Sequence, residues 1–571
     1  MRTTVPSSDP KQTDAARART NSIAQAARSP IKSFPTGEPT SVISILMPVY
    51  NTPPEILDEA IRSILGQSYR FWELCICDDC SDDVDTRTIL MEYWGVDPRI
   101  KIVRAPRNLH IAGATNYAAQ YASGEYVAFV DHDDLLRPGA LARVAEAIAQ
   151  FPEAEVFYTD EDKLEEDGTF SEHYLKPAWS PEHLCSVMYL LHLLILKKSL
   201  FLALGGLREQ YSGAQDYDLA LRATHNRQVI HIPGICYHWR KLPGSAAAVV
   251  DAKPDALARA ENALRDFVGS IDPKSTVANG LHPGTFRVLW HIDSSQPVTL
   301  LLTTNAGTRV VEGRGRIRLL DNAISSIVQK SSFRNFKLLV VDNGNLDRVS
   351  RDVVSAAGGE IVHFTVRGRF NFSEKINFAI SRVETEDLIL LNDDVEVISE
   401  DWIEALLGFS RQQDVGAVGA RLLYPNGQVQ HQGVVLGVCG PTSHIFHNMR
   451  DEDVGYNAFT HVIRNYSAVT GAVMATRLSF LRRLGGFDPK LRVDYNDIDY
   501  CLRLGQLGLR IVYTPFAKLY HFEGSSLARR SVDPADEAVF LERWGSILGR
   551  DPFYNPFLPK DRLDCAVAVQ V

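Results

Sequence analysis

One pattern of apolar strands ending in acids runs through this chain twice, and that repetition decides what the chain can fold into. In the first pass an apolar run from Val42 to Met47 precedes a helical stripe of Ile56, Leu57, Ala60, Ile61, Ile64 and Leu65. A run from Glu73 to Cys77 then ends in Asp78-Asp79, and one from Glu125 to Val130 ends in Asp131-His132-Asp133-Asp134. The second pass opens with Val298 to Leu302 and the stripe Leu320, Ala323, Ile324, Ile327 and Val328. Lys337 to Val341 follows, before Asp342-Asn343, and then Asp387 to Leu391, before Asn392-Asp393-Asp394. Asp131 and Asn392 lie 261 positions apart, as do Asn116 and Asn377, whereas Asp216 and Asp497 lie 281 apart. The second pass therefore carries about twenty extra residues, assigned to the Gly- and His-rich stretch from Gln428 to Arg450.

Strand, helix, strand, with acids where the strands stop, predicts a parallel α/β sheet whose site lies at the carboxyl edge. A chain of 571 residues exceeds what one core usually serves. The expected division is a flexible arm over 1–40, a first domain over 41–290 and a second over 291–571, parted by the Pro- and Gly-bearing stretch from Asp272 to Pro297. At the first helix Thr52 is expected to cap, Pro53 to suit the first turn, and Glu55 to complete a capping box.

Charge narrows the function. The chain holds 60 basic and 70 acidic residues, with no long block of either sign, which argues against nucleic acid as a partner. An anionic substrate would then need a local cation, and a bound metal is the natural one. Cys75, Cys77 and Cys80 lack a second Cys/His pair at zinc-site spacing and read as small strand residues. Reduced thiols fit the cytoplasm. The apolar stretch from Tyr189 to Leu207 is broken by His192, Lys197 and Lys198, so it reads as core, with membrane contact peripheral at most.

Sugar transfer from a nucleotide diphosphate needs a grip on the nucleoside, a cation on the pyrophosphate and a base for the acceptor hydroxyl. Mg²⁺ or Mn²⁺ binds through one or two carboxylates plus phosphate oxygens, which suits Asp131-His132-Asp133 at a strand end. Alone, such a pair reads equally well as a turn or a cap. Its context is more specific. Gln215-Asp216-Tyr217-Asp218-Leu219 precedes a helix, and His238-Trp239-Arg240 follows the next strand. In the second pass Asn496-Asp497-Ile498-Asp499 precedes a helix, and His521 follows a comparable strand.

With Ser44-Ile45-Leu46-Met47-Pro48-Val49-Tyr50-Asn51, Cys77-Asp78-Asp79, Phe370-Asn371-Phe372-Ser373 and Gly485-Gly486-Phe487-Asp488, these strings resemble the inverting family 2 glycosyltransferases of GT-A fold. The likeness runs from about Val42 to Tyr554, and it is to the two-domain bacterial enzymes of O-antigen and surface-polysaccharide assembly, rhamnosyltransferases among them. It implies a UDP- or dTDP-sugar donor, Mn²⁺ or Mg²⁺ as cofactor, and a growing, in some cases lipid-linked, glycan as acceptor. The place of work would be the cytoplasm or the inner face of its membrane. By position, Asp79 would bind the pyrimidine base beside Pro48 and Tyr50, and Asp131, Asp133 and His238 would serve the metal. Asp216 would be the general base. Arg240 would touch pyrophosphate or form a surface salt bridge. In the second copy Thr303, Asn305, Asn343 and Asn392 would face the nucleotide, Asp394 and His521 the metal, and Asp497 would be the base. Asn343 and Asn392 replace aspartates, so a non-catalytic, glycan- or partner-binding second copy stays open. A nucleotidyltransferase reading of Asn305-Ala306-Gly307-Thr308-Arg309 fails for want of paired glycines.

Overall fold

Strand ranges come first, because the sheet order carries the duplication. A computed structural model describes residues 41–242, 254–311, 315–522 and 532–567; the arm expected over 1–40 lies outside them. The first sheet is built from β1 (Ile43–Val49), β2 (Trp72–Asp78), β3 (Ile100–Arg104), β4 (Tyr126–Phe129), β5 (Leu135–Leu136), β6 (Val156–Leu164), β7 (Phe170–Tyr174), β8 (Leu194–Lys197) and β9 (Val229–Arg240). Their order is β3-β2-β1-β4-β8-β6-β9-β5, with β7 beside β6. The second sheet runs Glu360–His363, Phe336–Asp342, Val298–Thr303, Asp387–Asn392, Val473–Arg477, Val415–Leu423, Arg510–His521, Val395–Val397. Strand for strand, the two orders are the same.

β1 lies parallel to both β2 and β4, and every residue of β1 and β2 is buried. Such strands are covered on both faces, so they read as continuous apolar runs. The helix Pro54–Leu65 covers one face through Leu57, Ala60, Ile61 and Ile64. Its entry departs from the expected capping box. Pro54 opens the helix, no side chain caps it, and the Thr52 hydroxyl is buried without a partner among the described residues. Pro53 takes the N-cap place, and its side chain has no oxygen with which to cap. Burial pushes the thiols of Cys75 and Cys77 up to about 12, as befits small strand residues.

The matched asparagines turn out to be clamps. Asn116, on helix His110–Ala119, donates to the Leu207 carbonyl at 2.8 Å and accepts from the Leu207 N–H at 2.9 Å. Asn377 does the same with Phe487 at 2.7 and 2.8 Å. Each clamp needs a glycine beside it. A Cβ on Gly206 (φ +72°) would meet Asn116 Oδ1 at 2.4 Å, and one on Gly486 (φ +78°) would meet Asn377 Oδ1 at 2.1 Å. The clamped loops lead into the two helices that carry Asp216 and Asp497.

The extra residues lie where spacing placed them. Between Val415–Leu423 and Val473–Arg477 the second copy keeps a counterpart of β7 in Val429–His431 and adds the hairpin of Val434–Leu436 and Thr442–His444. The dividing stretch is not bare linker. A hairpin of Thr276–Asn279 and Phe286–Leu289 puts Val277, Phe286 and Val288 into the first copy's core, and Trp290 packs against both cores.

The copies share a further core in which Leu175 joins Val435, Phe446, Phe459, Tyr466, Tyr554 and Leu558. Around it the Tyr456 hydroxyl bonds the His173 carbonyl at 2.5 Å and accepts from the Leu175 N–H at 2.7 Å. Arg510 meets the buried Glu182 at 2.9 Å, and the Asn555 amide donates to Asp160 at 2.8 Å and to the Lys176 carbonyl at 2.9 Å. Among the described residues no helix is long and apolar enough to cross a membrane.

Candidate active sites

In the strings Gln215-Asp216-Tyr217-Asp218 and Asn496-Asp497-Ile498-Asp499 the two aspartates do different work. The second of each pair is structural. Asp218 is buried between Arg208 and Arg222, and Arg222 also donates to the Leu204 and Gly206 carbonyls at 3.0 Å. Asp499 is buried between Arg503 and Arg543, and Arg503 reaches the Leu484 and Gly486 carbonyls at 3.0 and 2.9 Å. The first of each pair faces the site. Asp216 sits in the opening turn of helix Gln215–Thr224 and accepts from the Tyr217 N–H at 2.8 Å. Burial raises its pKa above the usual carboxylate value; the Tyr217 N–H and His192 oppose the rise, and Asp131 adds to it. Asp497 opens helix Asn496–Gln506, accepts from Gly471 N–H at 2.7 Å and Ile498 N–H at 2.9 Å, and is likewise raised by burial.

The D-x-D turn joins β4 to β5, and a lattice of hydrogen bonds fixes it. The Tyr237 hydroxyl donates to Asp134 at 2.6 Å and accepts from the Asp131 N–H at 3.2 Å. Arg240 braces the same turn: its N–H donates to Asp134 at 2.7 Å, its Nε to the Asp133 carbonyl at 2.7 Å, and its far nitrogen to Glu59 at 2.7 Å. Of the two expected alternatives for Arg240, the surface salt bridge is present, to Glu59. Burial, with Asp133 next among the raising causes, lifts the Asp131 pKa.

His238 is buried on β9 opposite Leu135 of β5, with Nδ1 2.6 Å from Asp162. His521 lies opposite Val395, with Nδ1 3.2 Å from Gln430 Oε1 and Nε2 3.1 Å from Asp394 Oδ1. A ring anchored through Nδ1 presents Nε2, the arrangement of metal-binding histidines. The carboxylates and histidines named for the metal thus have suitable chemistry. Yet among the described residues no group of three or more His, Cys, Asp or Glu is arranged as a ready metal cage. A cation here would draw its remaining ligands from donor phosphates, as Mg²⁺ and Mn²⁺ commonly do. The turns also differ in length. Counted from the parallel strands Asp394 matches Asp133, but counted back from the histidine's cross-strand partner it matches Asp134. The first turn is one residue longer.

On the nucleotide side, Pro48 lies opposite Cys77 in β2, Tyr50 is exposed, and Asp79 is buried with Oδ1 accepting from the Leu109 N–H at 2.6 Å. In the second copy Thr303 lies opposite Val341 and Asn392, and Asn343 follows the buried Asp342. A network that sequence reasoning missed stands beside Asn305. The Thr304 hydroxyl donates to Asp393 at 2.5 Å, and buried Lys375 donates to the Thr304 carbonyl at 2.6 Å. Burial, with Asp394, lifts Asp393 to about 6, and burial drops Lys375 to about 8. Sequence reasoning also missed His192, Glu161 and Lys176 in the first copy. Glu161 lies 3.0 Å from His192 Nδ1 and 3.9 Å from the ammonium of Lys176, and His192 Nε2 lies 4.0 Å from Asp131. The signal was present: His192 is a polar residue inside an otherwise apolar run.

Two family models match the chain in tandem: "Glycosyl transferase family 2" over residues 44–185 and "Glycosyltransferase like family 2" over residues 310–531. The chain belongs to glycosyltransferase family 2. Its two sheets are accordingly tandem GT-A domains, as the sequence led one to expect. Among relatives, the uncharacterized protein y4gI of Sinorhizobium fredii is 37% identical over 92% of this family 2 chain and 58% of its own length. The O-antigen biosynthesis protein RfbC of Myxococcus xanthus is 31% identical over 92% of this chain and 41% of its own. The chain therefore spans only about half the length of these relatives. A solved structure of Staphylococcus aureus TarS is 20% identical, covering 40% of this chain and 71% of that one, with a TM-score of 0.31.

Proposed function

We propose that this family 2 chain is an inverting glycosyltransferase that extends a bacterial surface polysaccharide of O-antigen type, with an active site in each copy. The observation that carries the reading is the repeated placement of Asp216 and Asp497. Each is half-buried in the opening turn of an equivalent helix, beside a fully buried aspartate that is locked to arginines. A carboxylate raised in pKa by burial is a competent base for a sugar hydroxyl. In the first copy Asp216 takes the acceptor proton as the hydroxyl attacks the anomeric carbon from the face opposite the leaving diphosphate. Asp79, Pro48 and Tyr50 hold the nucleotide, a UDP or dTDP moiety, and Tyr237 and Arg240 keep the acidic turn in shape. When bound, Mn²⁺ or Mg²⁺ at Asp131, Asp133 and His238, or at Asp394 and His521, would neutralise charge on the leaving diphosphate.

Incubation with a panel of nucleotide-sugars, scored by diphosphate release, tests the reading and names the donor. EDTA should abolish release and Mn²⁺ or Mg²⁺ should restore it; full activity in chelator would sink the metal part. A second reading makes the second copy a binding module. It draws on Asn343 and Asn392 and on the fuller engagement of Asp497, which two backbone N–H groups already occupy. Asp216→Asn inactive throughout, beside a fully active Asp497→Asn, would establish it.

A further inference from the structure

His192 is nearly buried, yet Nε2 of its ring is turned toward Asp131 of the first site. Nδ1 is held by Glu161 at 3.0 Å, and the His192 N–H also donates to that carboxylate. Glu161 in turn faces Lys176, whose ammonium donates to the Leu191 and His192 carbonyls at 2.7 and 3.0 Å. One face of the ring stacks on Tyr237 at 4.6 Å, and Trp239 closes the edge at 5.2 Å. Ring position, tilt and Nδ1 are therefore all fixed. What is left is Nε2, 4.0 Å from Asp131 Oδ2, too far for a direct hydrogen bond and suited to a group lying between them. The charges of His192 and Asp131 act in opposite directions on the pKa of Asp216.

The second copy has none of this. By strand register Ala472 stands where His192 does, and Leu422 where Glu161 does. Two polar residues that pair in one copy and are both apolar in the other mark a task that only one copy performs.

Resting on the reading of Asp216 as base, we propose that His192 grips a sugar hydroxyl in the first copy, one borne by the acceptor next to the hydroxyl that attacks. A hydroxyl both donates and accepts, so Nε2 can engage it in either protonation form. The group is a substrate contact that selects the acceptor, and the copies accordingly accept different acceptor sugars.

The test uses the full chain carrying Asp497→Asn, so that only the first copy turns over. Its substrates are the nucleotide-sugar found by the panel and a set of methyl glycosides as acceptors. His192→Ala should raise the acceptor KM about 10-fold, the worth of one lost hydrogen bond to a desolvated group. Affinity for UDP, measured by titration calorimetry, should stay within about twofold, and His192→Gln should recover part of the acceptor KM. An unchanged acceptor KM, or an equal loss of UDP affinity, overturns the proposal. A lowered melting temperature with acceptor KM intact also overturns it, by making His192 structural. If Asp497→Asn alone abolishes all transfer, the first copy is not catalytic, and the base reading falls together with this one.

Discussion

Withdrawing a carboxylate from water costs stability unless it is paired, and half-buried Asp216 and buried Asp218 test that trade two residues apart. The folded pKa of Asp216 is raised by burial above its usual value of 3.8. Its contribution is thus fully present below about pH 4 and lost as pH rises through the folded pKa. Asp216→Asn should raise the melting temperature at pH 7, and the gain should fade as the pH is lowered toward 4, as scanning calorimetry would show. The same variant should lose first-copy turnover by about 10²–10⁴-fold, with donor affinity kept. Turnover in the unaltered site should fall as acid protonates Asp216. Asp218→Asn should act oppositely on stability, because Arg208 and Arg222 lose their buried partner. An Asp216→Asn protein that melts lower than the parent at neutral pH would contradict the burial argument. Neither outcome was legible in the string Gln215-Asp216-Tyr217-Asp218, where both acids look like helix-start residues. Which one points outward depends on arginines that the loop and helix bring in.

Elements were the most legible level. Strands β1, β2 and β4 and the helix stripe beginning at Ile56 announce themselves because burial on one or two faces leaves a periodic trace. The matched asparagines also showed through, since a clamp used twice leaves the same residue at the same spacing. Its geometry did not, because the partner loop is distant in sequence. Gly206→Ala and Gly486→Ala should each cost about 1–3 kcal/mol, from a left-handed φ and a clash with the clamp. Urea titration would read the loss, and helices freed at their base-bearing ends should lower kcat more than donor affinity. Wild-type stability in either variant would show that the clamp is incidental. The Glu161–His192 pairing was invisible for the same reason as the clamp geometry. Neither residue is periodic with anything, and only the strand order brings them together.

At the scale of the molecule, the repeat predicted two units but said nothing of how they meet, since an interface leaves no period in sequence. The copies meet through buried polar contacts as well as a shared core. Arg510→Ala would leave Glu182 buried without its cation and should cost about 3–5 kcal/mol. Because the interface joins both cores, calorimetry should show a single transition moving downward rather than one of two peaks. A second peak left at its original temperature would show that the copies melt independently. Asn555 gives this joining a direction. It lies in the second copy's closing segment, yet its amide holds Asp160 and the Lys176 carbonyl, and Lys176 is the cation behind Glu161 and His192. Protein ending at residue 550 should therefore keep first-copy nucleotide binding but lose first-copy acceptor affinity, which the methyl glycoside assay would reveal. On the proposed reading, the earlier-made half would stay an unfinished catalyst until residue 555 had emerged from the ribosome. A prematurely terminated chain would then release no half-enzyme able to add sugars out of turn.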